Sequence, residues 1–367
     1  MRISIPNIPL PSAKNPAFVN PLADISHTDA VQRVKRFLDQ GRGKGLVLTG
    51  AGVSVDSGIR AYRGTEGHYT QNPNFRPIFY GELMDTGPKG DLYRIPDWAR
   101  SFIGYVPVRK AVPNPTHMYI ASLQRLGLAP TLITQNVDRL HHKASPYPLT
   151  ETDRRTLELH GTLHYVHCPK NHHVLERDEW QKLLASLNPR WQEIVEETRG
   201  RPVKMNPDGD VDLGEVQYDQ FVVPSCGECE KNGIKGSIVK PNVVFFGETI
   251  TEEVKDRSHK MIDDASSVLA MGTSLATYSA FRLIKQAVDA KKPVLILSTG
   301  PTRADGLPGV DKIEMRAGPV LEDVLQLYLN GRQGPAYDHV RHLMTKGVIK
   351  EAPQSRTPPP EASSAGS

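Results

Sequence analysis

The chain has 367 residues, 38% of them hydrophobic and 23% charged, which suits one large folded domain or two that share a core and excludes a disulfide-stapled miniprotein. No apolar run approaches the roughly 18 residues that a spanning helix requires, so no membrane partner is expected. Lys plus Arg at 45 against Asp plus Glu at 41 leaves +4, with both signs interspersed, too small an excess to argue for direct contact with nucleic acid.

In chain order, the first element is an arm. Residues 1–27 are rich in proline, which denies a continuous helix, and carry only Arg2 and Lys14 as cations, unlike an Arg-rich import presequence. Thr28 or Asp29 then caps a helix with Val31, Val34, Phe37 and Leu38 on one face, stopped by Gly41. The run Leu46 to Thr49 reads as a buried strand opening into a glycine turn. Residues about 70–112, full of aromatics, prolines and glycines, read as a helical insertion. Asn114 and Pro115 start a helix that Gly127 ends, and Thr131 to Thr134 is a second buried strand. Residues 164–238 hold every cysteine and the polar helical piece RDEWQKLLASLN, and read as a smaller domain.

Val243 to Phe246, Ser267 to Met271 and Pro293 to Leu297 are expected as further strands, separated by helices at 251–264 and 278–290. This alternation predicts an α/β fold with a doubly wound parallel sheet, built from 28–163 and 239–330. From Gly331 the chain is expected to become a largely disordered tail, ending in APQSRTPPPEASSAGS.

Four groups of residues carry chemistry. Gly50, Ala51, Gly52 and Ser54 form a glycine-rich strand-to-helix turn, which suits either an ordinary tight turn or the approach of a pyrophosphate. Gln135, Asn136 and Asp138 follow the second strand, where amides and a carboxylate suit a carboxamide or ribose, or an Asx turn starting the next helix. His160 follows an apolar segment and is either a structural histidine or a base acting near neutral pH. Cys168 with the pair Cys226 and Cys229 is spaced like a zinc ribbon lacking one ligand; position 171 is Asn171, so either His172 supplies the fourth donor or the metal site is lost or weakened. An odd cysteine count with a C-x-x-C pair favours metal over a disulfide and points to a reducing compartment. Asp208 to Asp212 reads as an acidic turn, because Leu213 stands where a calcium loop needs glycine.

Taken together, GAGVSVDSGIRAYRG, TQNVD, LHG, VKPNVVFFGE and MGTS resemble the sirtuins, NAD-dependent protein-lysine deacylases, over roughly residues 30–330. ARSFIGY, LNPRW, NPDGDVDL, KPNVVFFGET and GPTR extend the resemblance to the family's class II, its mitochondrial sirtuin-four branch.

The resemblance implies a Rossmann-like large domain, a small zinc-bearing domain, and a cleft in which NAD and an acylated-lysine protein or peptide meet. By motif, Gly50, Ala51, Gly52 and Ser54 would hold the diphosphate, and Tyr62 and Arg63 the loop over the nicotinamide ribose. Gln135, Asn136 and Asp138 would line the nicotinamide and ribose pocket. Gly272, Thr273, Ser274, Ser298, Thr299 and Gly300 would contact the adenosine half, with Ala317 late in the cofactor site. His160, aided by Asn136, would be catalytic, drawing a proton from the ribose so that its hydroxyl takes the acyl group, and VVFFGE would offer an extended edge to the substrate peptide.

This chain departs from the family pattern at Arg60-Ala61 in place of Pro-Asp, at Asn171 for a zinc cysteine, at Ser298 for an asparagine and at Ala317 for a cysteine. Mono-ADP-ribosyl transfer, or NAD sensing without turnover, are the competing functions. The class implies the mitochondrial matrix, with nucleus or cytoplasm as the alternative, and the oligomeric state leaves no mark on the sequence.

Overall fold

The computed structural model describes residues 25–41, 43–64, 67–71, 76–197, 218 and 220–350. The expected N-terminal arm up to residue 24, the acidic turn at 208–212 and the last residues of the tail lie outside them. The elements are α1 (His27–Gln40), β1 (Gly45–Thr49), α2 (His68–Gln71), α3 (Tyr80–Leu83), α4 (Pro88–Lys110), α5 (Pro115–Arg125), β2 (Thr131–Thr134), α6 (Leu140–Ala144), α7 (Leu149–Arg155), β3 (Thr156–Glu158), β4 (Gly161–Cys168) and β5 (His173–Glu176). Then follow α8 (Arg177–Leu187), α9 (Pro189–Glu197), α10 (Gly227–Lys231), β6 (Lys240–Val243), α11 (Glu252–Asp264), β7 (Ser267–Met271), α12 (Tyr278–Asp289), β8 (Val294–Leu297), β9 (Val310–Ile313), α13 (Ala317–Leu329) and α14 (Pro335–Met344).

Short strands buried on both faces read as unbroken apolar runs because helices cover each side of the sheet. GLVLT and SVLAM are buried along their whole length, and they pair in parallel at the centre of a six-stranded sheet ordered β3-β2-β1-β7-β8-β9. One face packs on α1, α5, α13 and α14 through Val34, Ile120, Leu321 and Val340; the other packs on α11 and α12 through Ile262, Leu283 and Ile284. The expected doubly wound sheet is therefore present. Its order reverses between β1 and β7, and the crevice outside the carboxyl ends of the strands at such a reversal is where ligands bind in open α/β sheets.

Local signals largely match their elements. Asn114 accepts from the His117 backbone N–H at the start of α5, with Pro115 next, as expected. For α1 the cap is Ser26, whose Oγ accepts from the Asp29 N–H, rather than Thr28 or Asp29.

Three expectations are corrected. Val243 to Phe246 is not a strand of the parallel sheet: β6 ends at Val243 and pairs antiparallel with β4 in a separate three-stranded sheet, β5-β4-β6, whose β4/β6 register shifts between Gly161 and Val166. The segment after β6 is also partly paired already, since the Val244 N–H donates to the His160 carbonyl and the Tyr80 N–H donates to that of Phe246; this shortens the open edge expected of VVFFGE. The 70–112 segment is no correction: as expected of a helical insertion it contains a 23-residue helix, α4, which runs through Pro96 and Pro107. It packs on the small module: Trp98, Phe102 and Ile103 join Trp180, Trp191, Phe221 and the three cysteines in one core. Arg177 is fully buried there, with its guanidinium 4.8 Å from the ring centroids of both Trp98 and Tyr105 and donating to the Ser101 carbonyl.

The third correction is the tail. Residues 335–344 form α14, and Val340 and Leu343 are buried against the large domain. Helical spacing of Val340, Leu343 and Met344 supplied an apolar stripe that the surrounding polar residues hid. Val340→Asp should place an unpaired carboxylate in this core and cost roughly 3 kcal/mol or more, a fall in Tm of at least about 4 °C in a thermal melt. An unchanged Tm would show α14 to be a dispensable appendage.

Candidate functional site

The turn after β1 meets the turn after β7 at the sheet's reversal point. The Gly50 N–H donates to the Met271 carbonyl at 3.2 Å and the Gly52 N–H to that of Gly272 at 2.9 Å. A Cβ on Gly52 would lie 2.7 Å from the Gly272 oxygen, and Gly272 itself has φ +55°. The glycines are thus required by contact of backbone with backbone, and two of their N–H groups are spent on that contact rather than aimed at a phosphate. Gly52 is exposed and Ala51 half-buried beside it, so the turn still faces the crevice.

Ser54 is fully buried. Its hydroxyl donates to Asp138 Oδ2 at 2.7 Å and accepts from Asn136 Nδ2 at 3.1 Å and from His117 Nε2 at 3.4 Å, which uses its one proton and both lone pairs. Ser54, expected to hold a diphosphate, is here the fastener between the first turn and the loop after β2. Asn136 Nδ2 also donates to the Gly50 carbonyl at 3.1 Å, and Asp138 Oδ1 accepts the Leu140 N–H at 2.9 Å, an Asx turn opening α6. Burial raises the Asp138 pKa, with the Leu140 and Ser54 bonds opposing it. Burial also lowers that of His117 to about 3 and holds His141 well below the usual histidine range. This network is neutral at its histidines and rigid.

Gln135 binds the other side of the crevice. Its Nε2 donates to Thr273 Oγ1 at 2.8 Å and to the Thr49 carbonyl at 3.2 Å, while Oε1 accepts from Thr277 at 3.3 Å. Its backbone carbonyl lies 3.2 Å from His160 Nδ1. A carbonyl only accepts, so Nδ1 carries the proton and Nε2 is left as the acceptor, taking a bond from Ser279 Oγ at 2.7 Å. Desolvation by the surrounding protein, partly offset by the Gln135 carbonyl, lowers the His160 pKa to about 4. The ring is therefore a neutral imidazole with its basic nitrogen fixed in direction. Sequence reasoning missed Ser279; the available signal was a small hydroxyl in the first turn of a helix that follows a strand at the sheet's carboxyl edge.

The remaining candidates divide. Thr273 and Ser298 are buried at the ends of β7 and β8, Ser274 and Gly300 are half-buried beside them, and Thr299 is exposed. Gly300 donates from its N–H to Glu314 Oε1 at 3.0 Å. Ala317 opens α13 and packs against the large core. Tyr62 stacks on Tyr69 with ring centroids 5.6 Å apart, the Arg63 guanidinium lies 5.4 Å from the Tyr69 ring, and burial lowers the Arg63 pKa. Arg60, one of the departures from the family pattern, is buried. Polar groups from the ends of β1, β2, β7 and β8 thus converge on one crevice, a donor set that fits a ribose and a carboxamide.

The second centre is in the small module. Cys168, Cys226 and Cys229 are buried, and their sulfurs lie within 4.8 Å of one another, with Cys168 Sγ and Cys229 Sγ 3.6 Å apart. Three convergent thiols in a core without a disulfide among them have the chemistry of a structural zinc site. The histidine that the fold brings to them is His173 rather than the expected His172.

A family model described as Sir2 family matches residues 50–279. The chain is 42% identical over 301 residues to the NAD-dependent protein deacylase SIR4 of Batrachochytrium dendrobatidis, covering 81% of this chain and 93% of that one. It is 38% identical over 293 residues to the mitochondrial NAD-dependent protein lipoamidase sirtuin-4 of Bos taurus, covering 80% and 85%. An NAD-dependent protein deacetylase of Bordetella bronchiseptica is 36% identical over 300 residues, covering 82% and 99%. Among solved structures, a Sir2 homolog in complex with NAD superposes with a TM-score of 0.53 at 23% identity, over 85% of this chain and 94% of that one, a likeness of fold.

The geometry at His160 makes a specific prediction. In a two-dimensional NMR titration, the resonance lost in His160→Ala should stay that of a neutral ring through pH 6 and titrate with a midpoint below about 5, in keeping with a pKa of about 4. A midpoint at or above 6.5 would mean that the ring is solvated and not held as drawn here.

Proposed function

The chain belongs to the Sir2 family, and on that premise we propose that it removes acyl groups from protein lysines, consuming NAD as co-substrate and passing the acyl group to ADP-ribose. The observation that carries this reading is His160, a neutral imidazole whose Nε2 is an acceptor at the point where the sheet order reverses. A module that only bound NAD would have no use for a base held there.

NAD, when bound, supplies an electrophilic ribose carbon and the hydroxyl that receives the acyl group. The protein's part is to position, to exclude water and to move one proton. Gln135 fixes the loop whose carbonyl orients His160, through its bonds to Thr49, Thr273 and Thr277. Asn136 and Asp138, locked to Ser54 and the first turn, hold the floor of the crevice in place. Tyr62 and Arg63, packed with Tyr69, form cover for the cofactor side. His160 takes a proton at Nε2 once a ribose hydroxyl replaces that of Ser279, and a ring neutral at pH 7 is in the right state to do so.

Relatives carrying the names deacylase, lipoamidase and deacetylase support an acylated-lysine substrate and a range of acyl groups. The names of the bovine and human sirtuin-4 relatives, which carry the word mitochondrial, support a mitochondrial location.

The test is nicotinamide release and product identification by mass spectrometry, using NAD with acetyl, longer acyl, dicarboxylic acyl and lipoyl lysine peptides. One or more peptides should yield acyl-ADP-ribose and free lysine, and His160→Ala should lower the rate at least about 100-fold. Nicotinamide release without any acyl peptide, with ADP-ribose on protein, would replace the deacylase reading by mono-ADP-ribosyl transfer. NAD binding with no turnover of any peptide would leave a sensor.

A further inference from the structure

The zinc-type centre contains a donor that family spacing does not provide. The loop of the β4–β5 hairpin, residues 169–172, carries Asn171 at the position of the missing cysteine, and β5 begins at His173. In the hairpin register Cys168 is paired directly with His173. Directly opposed residues of an antiparallel pair project to the same side of the sheet, so the register puts the imidazole on the face that carries the first thiol.

The distances agree with a shared ion. His173 Nδ1 lies 3.3 Å from Cys226 Sγ and 3.8 Å from Cys229 Sγ, and Cys168 Sγ lies 3.6 Å from Cys229 Sγ. With Zn–S near 2.3 Å and Zn–N near 2.0–2.1 Å, a tetrahedron has edges of about 3.8 Å between sulfurs and about 3.6 Å between sulfur and nitrogen. His173 Nδ1 therefore stands at tetrahedral-edge distance from two of the three sulfurs, those of Cys226 and Cys229. The group that closes within 4.8 Å is the three cysteines alone, so the imidazole completes the site by a small swing toward Cys168. His172 has φ +55°, the left-handed conformation by which the loop turns back, and no contact joins its ring to the three sulfurs. Asn171 is placed as an outer partner: its Nδ2 donates to Cys229 Sγ at 2.9 Å, and an amide N–H stabilises a thiolate without ligating the metal.

We propose that this chain binds its structural zinc through Cys168, Cys226, Cys229 and His173 Nδ1, with Asn171 turned from ligand into hydrogen-bond donor. The proposal rests on the reading of the three thiols as a zinc site. Binding deprotonates the three thiols, releasing their protons to water; the imidazole ligates as the neutral ring, keeping its proton on Nε2.

The test reads metal, not turnover. Wild-type protein should hold one zinc by elemental analysis, and its cobalt-substituted form should show the visible d–d bands of a tetrahedral site of three sulfurs and one nitrogen. His173→Ala should release zinc to a chelator at least about tenfold faster. His172→Asn, chosen because asparagine tolerates the left-handed turn, should release it at the wild-type rate. His173→Cys keeps four donors and so guards against a variant that merely fails to fold; its cobalt bands should move to lower energy, as a fourth sulfur requires.

Zinc retention in His173→Ala equal to wild type, or cobalt bands in His173→Cys unchanged from wild type, would remove His173 from the ligand set while leaving the site. A wild-type chain that takes up neither zinc nor cobalt would overturn the site as well.

Discussion

Two turns of backbone meet with no side chain between them, and the rest of the molecule is arranged around that contact. Gly52 and Gly272 approach so closely that a single Cβ on either would strike the other turn's main chain. Parallel pairing of β1 with β7 brings the two turns side by side, and the glycines let them touch. Because the contact is made of hydrogen-bonded peptide groups, it sets the crevice floor to within a few tenths of an ångström. Thr273 then falls within reach of Gln135, and Gln135 in turn presents a carbonyl to His160.

The polar groups beneath the crevice are satisfied by one another. His117, Asn136, Ser54 and Asp138 form a chain in which the central hydroxyl is saturated. Such a network is costly to leave incomplete and stiff when complete. It explains how a loop rich in amide and carboxylate groups, which could collapse in several ways, keeps one arrangement. Several residues that a motif assigns to the ligand are, on this view, also the ones that prepare its seat.

Much of this architecture was legible in the chain. Strands buried on both faces announce themselves as apolar runs between turn residues, so β1, β2, β7 and β8 were readable, as was α5 from Asn114 and Pro115. Other features were hidden for physical reasons. Val243 to Phe246 is as apolar as a central strand, but its pairing partner is decided by β4, far away in sequence. α4 absorbs two prolines because its apolar surface, led by Trp98 and Phe102, is held by the small module. β9, VDKI, is too polar to stand out from its neighbours. The choice between His172 and His173 depended on hairpin register, a period-two property that shifts every side chain to the other face when it slips by one.

The strand β4 starts one residue after His160 and ends on Cys168. Eight extended residues at about 3.3 Å each make a rod of roughly 25 Å with the proton acceptor at one end and the thiol cluster at the other. A uniformly paired rod would tie the cluster and the imidazole into one continuous ladder. This one is not uniformly paired: the ladder with β6 loses its register between Gly161 and Val166, near the His160 end. That irregular stretch interrupts the ladder on the His160 side. The cluster anchors the small module at one end of the strand, and at the other the direction of the imidazole is set from outside the ladder, by Gln135 and Ser279.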